Sequence, residues 1–195
     1  MAVTLPVSGE RLSVPSNVFV IGTMNTADRS IALLDTALRR RFGFVELMPD
    51  VSVLAGASVG GRIPLAPWLT ALNERIRAHC GRDARNLQVG HAYLLDDGRP
   101  VASFPKFVRI VAEDIIPLLE EYCYEDYSAL KNILGDGLVD EQRQRIREEL
   151  FATANQEQLV QALMAISPEM STSLEAIVKT GLQTEEPTEQ DEGEG

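Results

Sequence analysis

The sequence predicts an α/β protein: a short parallel strand–helix–strand unit within residues 1–50, followed by a mainly α-helical region. Three observations carry that prediction. Val18, Phe19, Val20 and Ile21 form a continuous apolar run that stops at Gly22, as in a strand covered on both faces. The spacing then becomes helical, with Ile31, Leu34 and Leu38 on one face and Ala37 beside them. From Trp68 onward the apolar residues fall mostly at helical intervals.

Taken in order, Leu5 to Pro15 reads as an edge connection into the first strand, Val18–Ile21. Asp28 or Ser30 can cap the helix that follows. Arg39, Arg40 and Arg41 close it, where cations suit the C-terminal end of the helix dipole. Phe42 to Leu47 reads as a second strand, so the unit is β-α-β and its strands are parallel. Two parallel strands cannot enclose a core, and no strand to flank them is evident downstream. Their neighbours are expected from upstream polypeptide or from another chain.

Residues 49–67 read as loop, with Gly56, Gly60 and Gly61. Trp68, Leu69, Leu72 and Ile76 share one face of a helix running to about Cys80. Residues 81–86 form a loop, and Leu87 to Leu95 is extended. Asp96-Asp97-Gly98 is a turn; it lacks a third carboxylate at the spacing a calcium loop needs. Ser103 can cap a helix that buries Phe107, Val108, Val111 and Ile115, and Pro117 is expected to kink or end it. Leu118 to Tyr124 is a further short helical piece. Val139–Phe151 and Gln156–Ile166 read as helices. Ser167 followed by Pro168 opens one more, to about Lys179. There is no internal repeat. The expected organisation is thus an α/β part over 1–50, a helical subdomain over 51–137, additional helices over 138–182 and an acidic tail over 183–195.

Composition narrows the function classes. The 195 residues carry a net charge of −11. Six acids and no base lie in the tail after Leu182, which has no large apolar side chain to bury and is expected to be disordered. This balance opposes direct DNA contact. Cys80 and Cys123 lie far apart in sequence, without disulfide-framework or metal spacing, and read as buried thiols of a reducing compartment. No stretch reaches the roughly 18 apolar residues of a membrane helix, and the N-terminus lacks a signal-peptide layout. The expectation is a cytoplasmic protein.

The first strand ends in a polar cluster denser than a turn requires: Thr23, then Asn25, Thr26, Asp28, Arg29 and Ser30. A capped strand-to-helix turn is the plain explanation. The motif Met24-Asn25-Thr26-Ala27-Asp28-Arg29, with Ala37-Leu38-Arg39-Arg40-Arg41-Phe42 behind it, points further. With its flanks it resembles the AAA+ module of the McrB family, the nucleotide-hydrolysing subunit of modification-dependent restriction systems. "VGHAYLL" at 89–95, "DIIPLLEEYCYED" at 114–126 and "ILGD" at 133–136 resemble that family's lid in the same order. The likeness covers roughly residues 8–137 and only the C-terminal half of the AAA+ module.

The resemblance implies a partial AAA+ core (sensor strand, helix, following strand) and then a helical lid. Asn25 would be the sensor amide that orients the attacking water, since ligands sit off the carboxyl ends of parallel strands. Thr23 and His91 would lie near the nucleotide, and Asp28 and Arg29 would fix the loop or receive a partner's side chain. From Ser30 to Arg41 a helix advances on the order of 16 Å away from that strand end. Arg39 and Arg41 would therefore act on a neighbouring subunit's nucleotide, and Arg40 would face solvent. His79, at a helix end, reads as structural. The implied cofactor is GTP or ATP with Mg2+. The implied partners are a homo-oligomeric ring and an McrC-like nuclease subunit.

The departures matter as much. The sequence has no G-x-x-x-x-G-K-[ST] phosphate loop, and no apolar run ending in paired acids before residue 17. Taken alone, the chain is expected not to hydrolyse nucleotide appreciably. The alternatives are another AAA+ motor of MoxR-like or dynein-like kind, which the M-N-x-x-D-R signature opposes, and a non-enzymatic helical interaction module.

Overall fold

The computed structural model describes residues 2–24, 40–81, 84–124 and 126–167. Asn25, Asp28, Arg29 and Arg39, the helix read between Ser30 and Arg41, the helix read after Ser167 and the acidic tail all lie outside the described residues. The chain divides into two compact units, Met1–Gly43 and Phe44–Gly195.

The first unit contains an antiparallel hairpin of β1 (Ala2–Thr4) and β2 (Arg11–Ser13), in register Ala2 with Ser13 and Thr4 with Arg11. Its turn closes through Leu5 N–H to Glu10 O at 2.9 Å and Gly9 N–H to Leu5 O at 3.0 Å. Gly9 has φ +72°, which a residue without Cβ adopts freely. The strand expected at Val18–Ile21 is absent. That run has no ladder partner, and Phe19 and Ile21 are 88% and 93% exposed. Phe42 to Leu47 forms no strand either, with Leu47 91% exposed. The reason is mutual: a strand exists by pairing, and every strand among the described residues is already paired within its own two-stranded hairpin. Apolar composition alone cannot supply the missing neighbours.

The second unit is built around α1 (Leu65–His79), whose Trp68, Leu69, Leu72 and Ile76 are fully buried. It starts three residues before the expected position. Pro67 falls in its first turn, where the missing N–H has no intrahelical acceptor to lose. The preceding loop is more ordered than its composition suggests. A 3-10 turn at Val51–Leu54 is followed by the hairpin β3 (Ser58–Val59) and β4 (Ile63–Pro64). Gly60 and Gly61, at φ +58° and +67°, make its turn.

Residues 87–95 are not extended as expected. They form 3-10 turns at Ala84–Leu87 and His91–Leu94, leading into the hairpin β5 (Leu95–Asp96) and β6 (Arg99–Pro100). The Asp97-Gly98 turn was legible, and both residues have positive φ. Next come α2 (Phe104–Ile110), a π turn (Val111–Ile115) and α3 (Ile116–Cys123). Pro117 therefore does not end the helical run. Ile116 N–H reaches back five residues to Val111 O, and this wider turn accommodates the proline that follows.

A helix that the sequence reading missed, α4 (Tyr127–Leu134), is capped by the Asp126 carboxylate, which accepts from Ser128 and Ala129 N–H at 3.1 and 3.0 Å. The helix expected over Val139–Phe151 is instead the hairpin β7 (Val139–Asp140) and β8 (Arg145–Ile146), then a 3-10 turn at Glu148–Phe151. Asp140 Oδ1 takes the Arg143 N–H at 3.1 Å, a local bond that competes with helix formation. The last described helix, α5 (Gln156–Met164), agrees with expectation and buries Leu159, Val160, Ala162 and Leu163.

The core closes around Trp68. Its ring meets Phe107 edge-on, with centroids 5.1 Å apart, and its indole N–H donates to Leu163 O at 3.0 Å. Arg75 adds a second tie, donating to Ile133 O at 3.2 Å and Ala165 O at 2.9 Å. Burial lowers the pKa of this guanidinium, which its two carbonyl partners still satisfy.

Gly137 is the tightest point of this packing. A Cβ there would lie 2.8 Å from Ala162 Cβ and 3.1 Å from Ala162 Cα. Because the second atom is backbone, Gly137→Ala is expected to cost about 1–3 kcal/mol by overpacking. Urea unfolding measures this, and an unchanged midpoint would show that the turn before β7 does not abut α5 as described.

Candidate functional site

The described site is centred on His91, which opens the 3-10 turn after Gly90 and is half-buried. Its Nδ1 accepts the backbone N–H of Asp50 at 2.9 Å. An accepting nitrogen carries no proton, so the neutral ring holds its hydrogen on Nε2. That Nε2–H is the ring's second hydrogen-bonding group.

Asp50 is itself held. Its Oδ1 accepts from Ser52 Oγ at 2.6 Å and from Ser52 N–H at 2.9 Å, capping the first turn after it. The Ser52 hydroxyl, first, and the Ser52 amide, second, lower the Asp50 pKa below its ordinary value. Desolvation opposes them.

The segment entering His91 is fixed from α1. Asn73 is a polar side chain on an otherwise apolar helix face, and it is buried. Its Oδ1 accepts Val89 N–H at 2.7 Å and its Nδ2 donates to Val89 O at 3.0 Å, so one amide satisfies both backbone groups of Val89. The sequence reading missed this residue. The signal was present: an asparagine in register with Leu69 and Ile76, where a buried amide needs two partners.

The remaining predicted site residues that are described lie in the first unit: Thr23 and Arg41 are both exposed there. His79 is exposed in the last turn of α1, next to Cys80. Among the described residues no three His, Cys, Asp or Glu side chains converge to hold a metal ion. The His91 arrangement can offer one oriented N–H donor to an anionic or polar ligand.

The second unit is a mainly helical domain of short helices and two-residue hairpins built around α1, with His91 in a turn. A family model described as "McrB, alpha-helical lid domain" matches residues 64–131, from the N-cap of α1 into α4. The chain is also 37% identical over 143 residues to the "Type IV methyl-directed restriction enzyme EcoKMcrB subunit" of Escherichia coli (strain K12), a match that covers 65% of this chain. Over the part that these similarities cover, the chain is McrB-like, and the resemblance noted in the sequence holds. The match spans 31% of that relative's length. Among the described residues no helix is long and apolar enough to cross a membrane.

The depressed Asp50 pKa has a definite sign. Its hydrogen bonds favour folding above the unfolded carboxylate pKa of about 4 and are lost as pH falls through the lower folded value. Asp50→Asn keeps an acceptor and removes the charge. Denaturation midpoints followed from about pH 5 to about pH 2 are expected to fall less in Asp50→Asn than in the parent. Superimposable profiles would show that the Ser52 bonds contribute no pH-dependent stability.

Proposed function

We propose that the chain supplies the lid and the sensor-side part of an McrB-like AAA+ nucleoside triphosphatase that drives a DNA restriction complex. The observation that carries this reading is the coincidence of the McrB lid match at residues 64–131 with the helical body that presents His91. In this reading a GTP or ATP phosphate, sugar or base edge takes the His91 Nε2–H, and Thr23 is a nucleotide-binding residue of the complete module. Val18–Ile21 and Phe42–Leu47 become strands when the rest of a parallel sheet flanks them, which suits their apolar character and their exposure here. Asn25 at the end of the first strand orients the attacking water. Asp28 and Arg29 fix that loop or receive a neighbour's side chain.

Arg39 and Arg41 act in trans, on the nucleotide of the adjacent copy in a homo-oligomeric ring. Such fingers contribute about 10³–10⁵ in rate in known phosphoryl-transfer systems. The phosphate loop and metal carboxylates come from polypeptide other than these 195 residues, which have no G-x-x-x-x-G-K-[ST]. An McrC-like nuclease subunit is the partner that the ring serves. The restriction role follows from the relative's printed name and the lid likeness.

Two experiments test this. Residues 1–195 alone are expected to show no GTPase or ATPase activity above a protein-free blank, and turnover that survives repurification would overturn the reading. In a complete module carrying this lid, His91→Ala is expected to raise the nucleotide Kd at least about tenfold, the scale of one charge-assisted or oriented hydrogen bond. An unchanged Kd would make His91 a structural residue of the Asp50 turn.

A further inference from the structure

One nitrogen of His91 is engaged by a backbone amide. The Asp50 N–H donates to Nδ1 at 2.9 Å, across 41 positions of sequence. That amide is held from both sides. Pro49, whose ring fixes its φ, precedes it. Its own carboxylate is engaged by Ser52, whose Oγ and N–H donate to Oδ1 at 2.6 and 2.9 Å. The carboxylate thus caps its local turn. The same stretch of chain also takes Arg85, whose Nη2 donates to Glu46 Oε2 at 2.7 Å, so that cation is already paired.

We propose that His91 reads an uncharged hydrogen-bond acceptor of the nucleotide, on its base or its sugar, and not a phosphate oxygen. The inference rests on the nucleotide reading above and narrows it. An imidazole can meet a ligand in three protonation states, and the Asp50 amide selects among them. With the proton on Nε2 alone, Nδ1 accepts from Asp50 and Nε2–H donates outward. With a proton on Nδ1, alone or together with one on Nε2, an N–H faces the Asp50 N–H and that bond is lost. The group that His91 offers is therefore a neutral donor.

A neutral donor sorts ligand groups by chemistry. A phosphate gains most from charged donors, whose hydrogen bonds are about twice as strong as neutral ones. His91 becomes charged only by giving up the Asp50 bond, so a phosphate receives either the weaker donor or a broken turn. A group that itself donates, such as an exocyclic amine, needs a bare Nε2 with the proton on Nδ1, and meets the same conflict. A carbonyl oxygen, a ring nitrogen or a sugar oxygen needs only one neutral N–H. The ring holds that N–H ready, with no bond to break first.

Two measurements test this. Nitrogen NMR of the His91 ring in the full chain at neutral pH is expected to show a neutral imidazole with its hydrogen on Nε2. A charged ring, or a proton on Nδ1, would overturn the proposal, and this arm needs no variant. In the complete module, titration calorimetry compares a nonhydrolysable nucleoside triphosphate with inorganic triphosphate, which has neither base nor sugar. His91→Ala and His91→Asn are both expected to raise the nucleotide Kd at least about tenfold and to leave the inorganic triphosphate Kd within about twofold. Asparagine offers an amide oxygen where Nδ1 stood and nothing in place of Nε2–H, so its loss of affinity with an unchanged Tm separates donation to the ligand from support of the Asp50 turn. Parent-like affinity in His91→Asn would overturn the proposal. An equal loss for inorganic triphosphate would overturn it too, while leaving His91 a nucleotide-binding residue. No loss for either ligand would remove the nucleotide reading itself. A 2′,3′-dideoxy triphosphate then places the acceptor: a retained penalty assigns the base edge, and a vanished one assigns a sugar hydroxyl.

Discussion

The indole of Trp68 is the constraint on which the second unit depends. It sits fully buried on α1, sets its edge against Phe107 and gives its only donor to a carbonyl of α5. A buried Trp without an acceptor would lose a hydrogen bond it makes in water, so the Leu163 carbonyl fixes where α5 can lie. With that contact set, Arg75 one helical stretch further on reaches carbonyls of Ile133 and Ala165. Three elements distant in sequence are thereby referred to one helix. Apolar burial supplies most of the driving force, while these directional bonds select one arrangement among many of similar area.

The same helix reaches the candidate site through Asn73. Because that amide satisfies both backbone groups of Val89, the chain entering His91 cannot slide along α1 without leaving buried polar groups unpaired. Asp50 completes the arrangement from the other side by spending its N–H on Nδ1 of the ring. The tautomer of His91 thus follows from a backbone donor rather than from a carboxylate. The surface ion pairs contribute little to this. Arg62–Glu157 and Arg85–Glu46 are short but well exposed on both sides, where solvent screens them.

What could be read from the sequence divides along physical lines. Local signals held: the α1 face from Trp68 to Ile76, the Asp97-Gly98 turn and the α5 helix each depend on residues a few positions apart. The misses include one signal that depends on distant partners and several local ones. Val18–Ile21 looks like a strand by composition, yet a ladder needs neighbours that its own four residues cannot specify. Val139–Phe151 scattered apolar residues loosely enough to suit a helix, and the chain instead turns back on itself in a hairpin, with Asp140 accepting the Arg143 N–H inside the turn. Pro117 was read as a kink or an end, and the helical run instead continues through a π turn that composition does not reveal. The helix α4 was missed although Asp126, Leu130, Ile133, Leu134 and Gly135 spell a cap, an apolar stripe and a stop.

The candidate site shows the same division more sharply. His91 was legible only through resemblance, because nothing in an isolated histidine announces which nitrogen is engaged. Asn73 was legible in principle, since an amide on an apolar stripe demands partners, but its partner lies sixteen positions away. In each case the deciding quantity is a long-range contact made by a side chain whose type was already known. Residue chemistry says what each group requires, and only the fold says which group answers it.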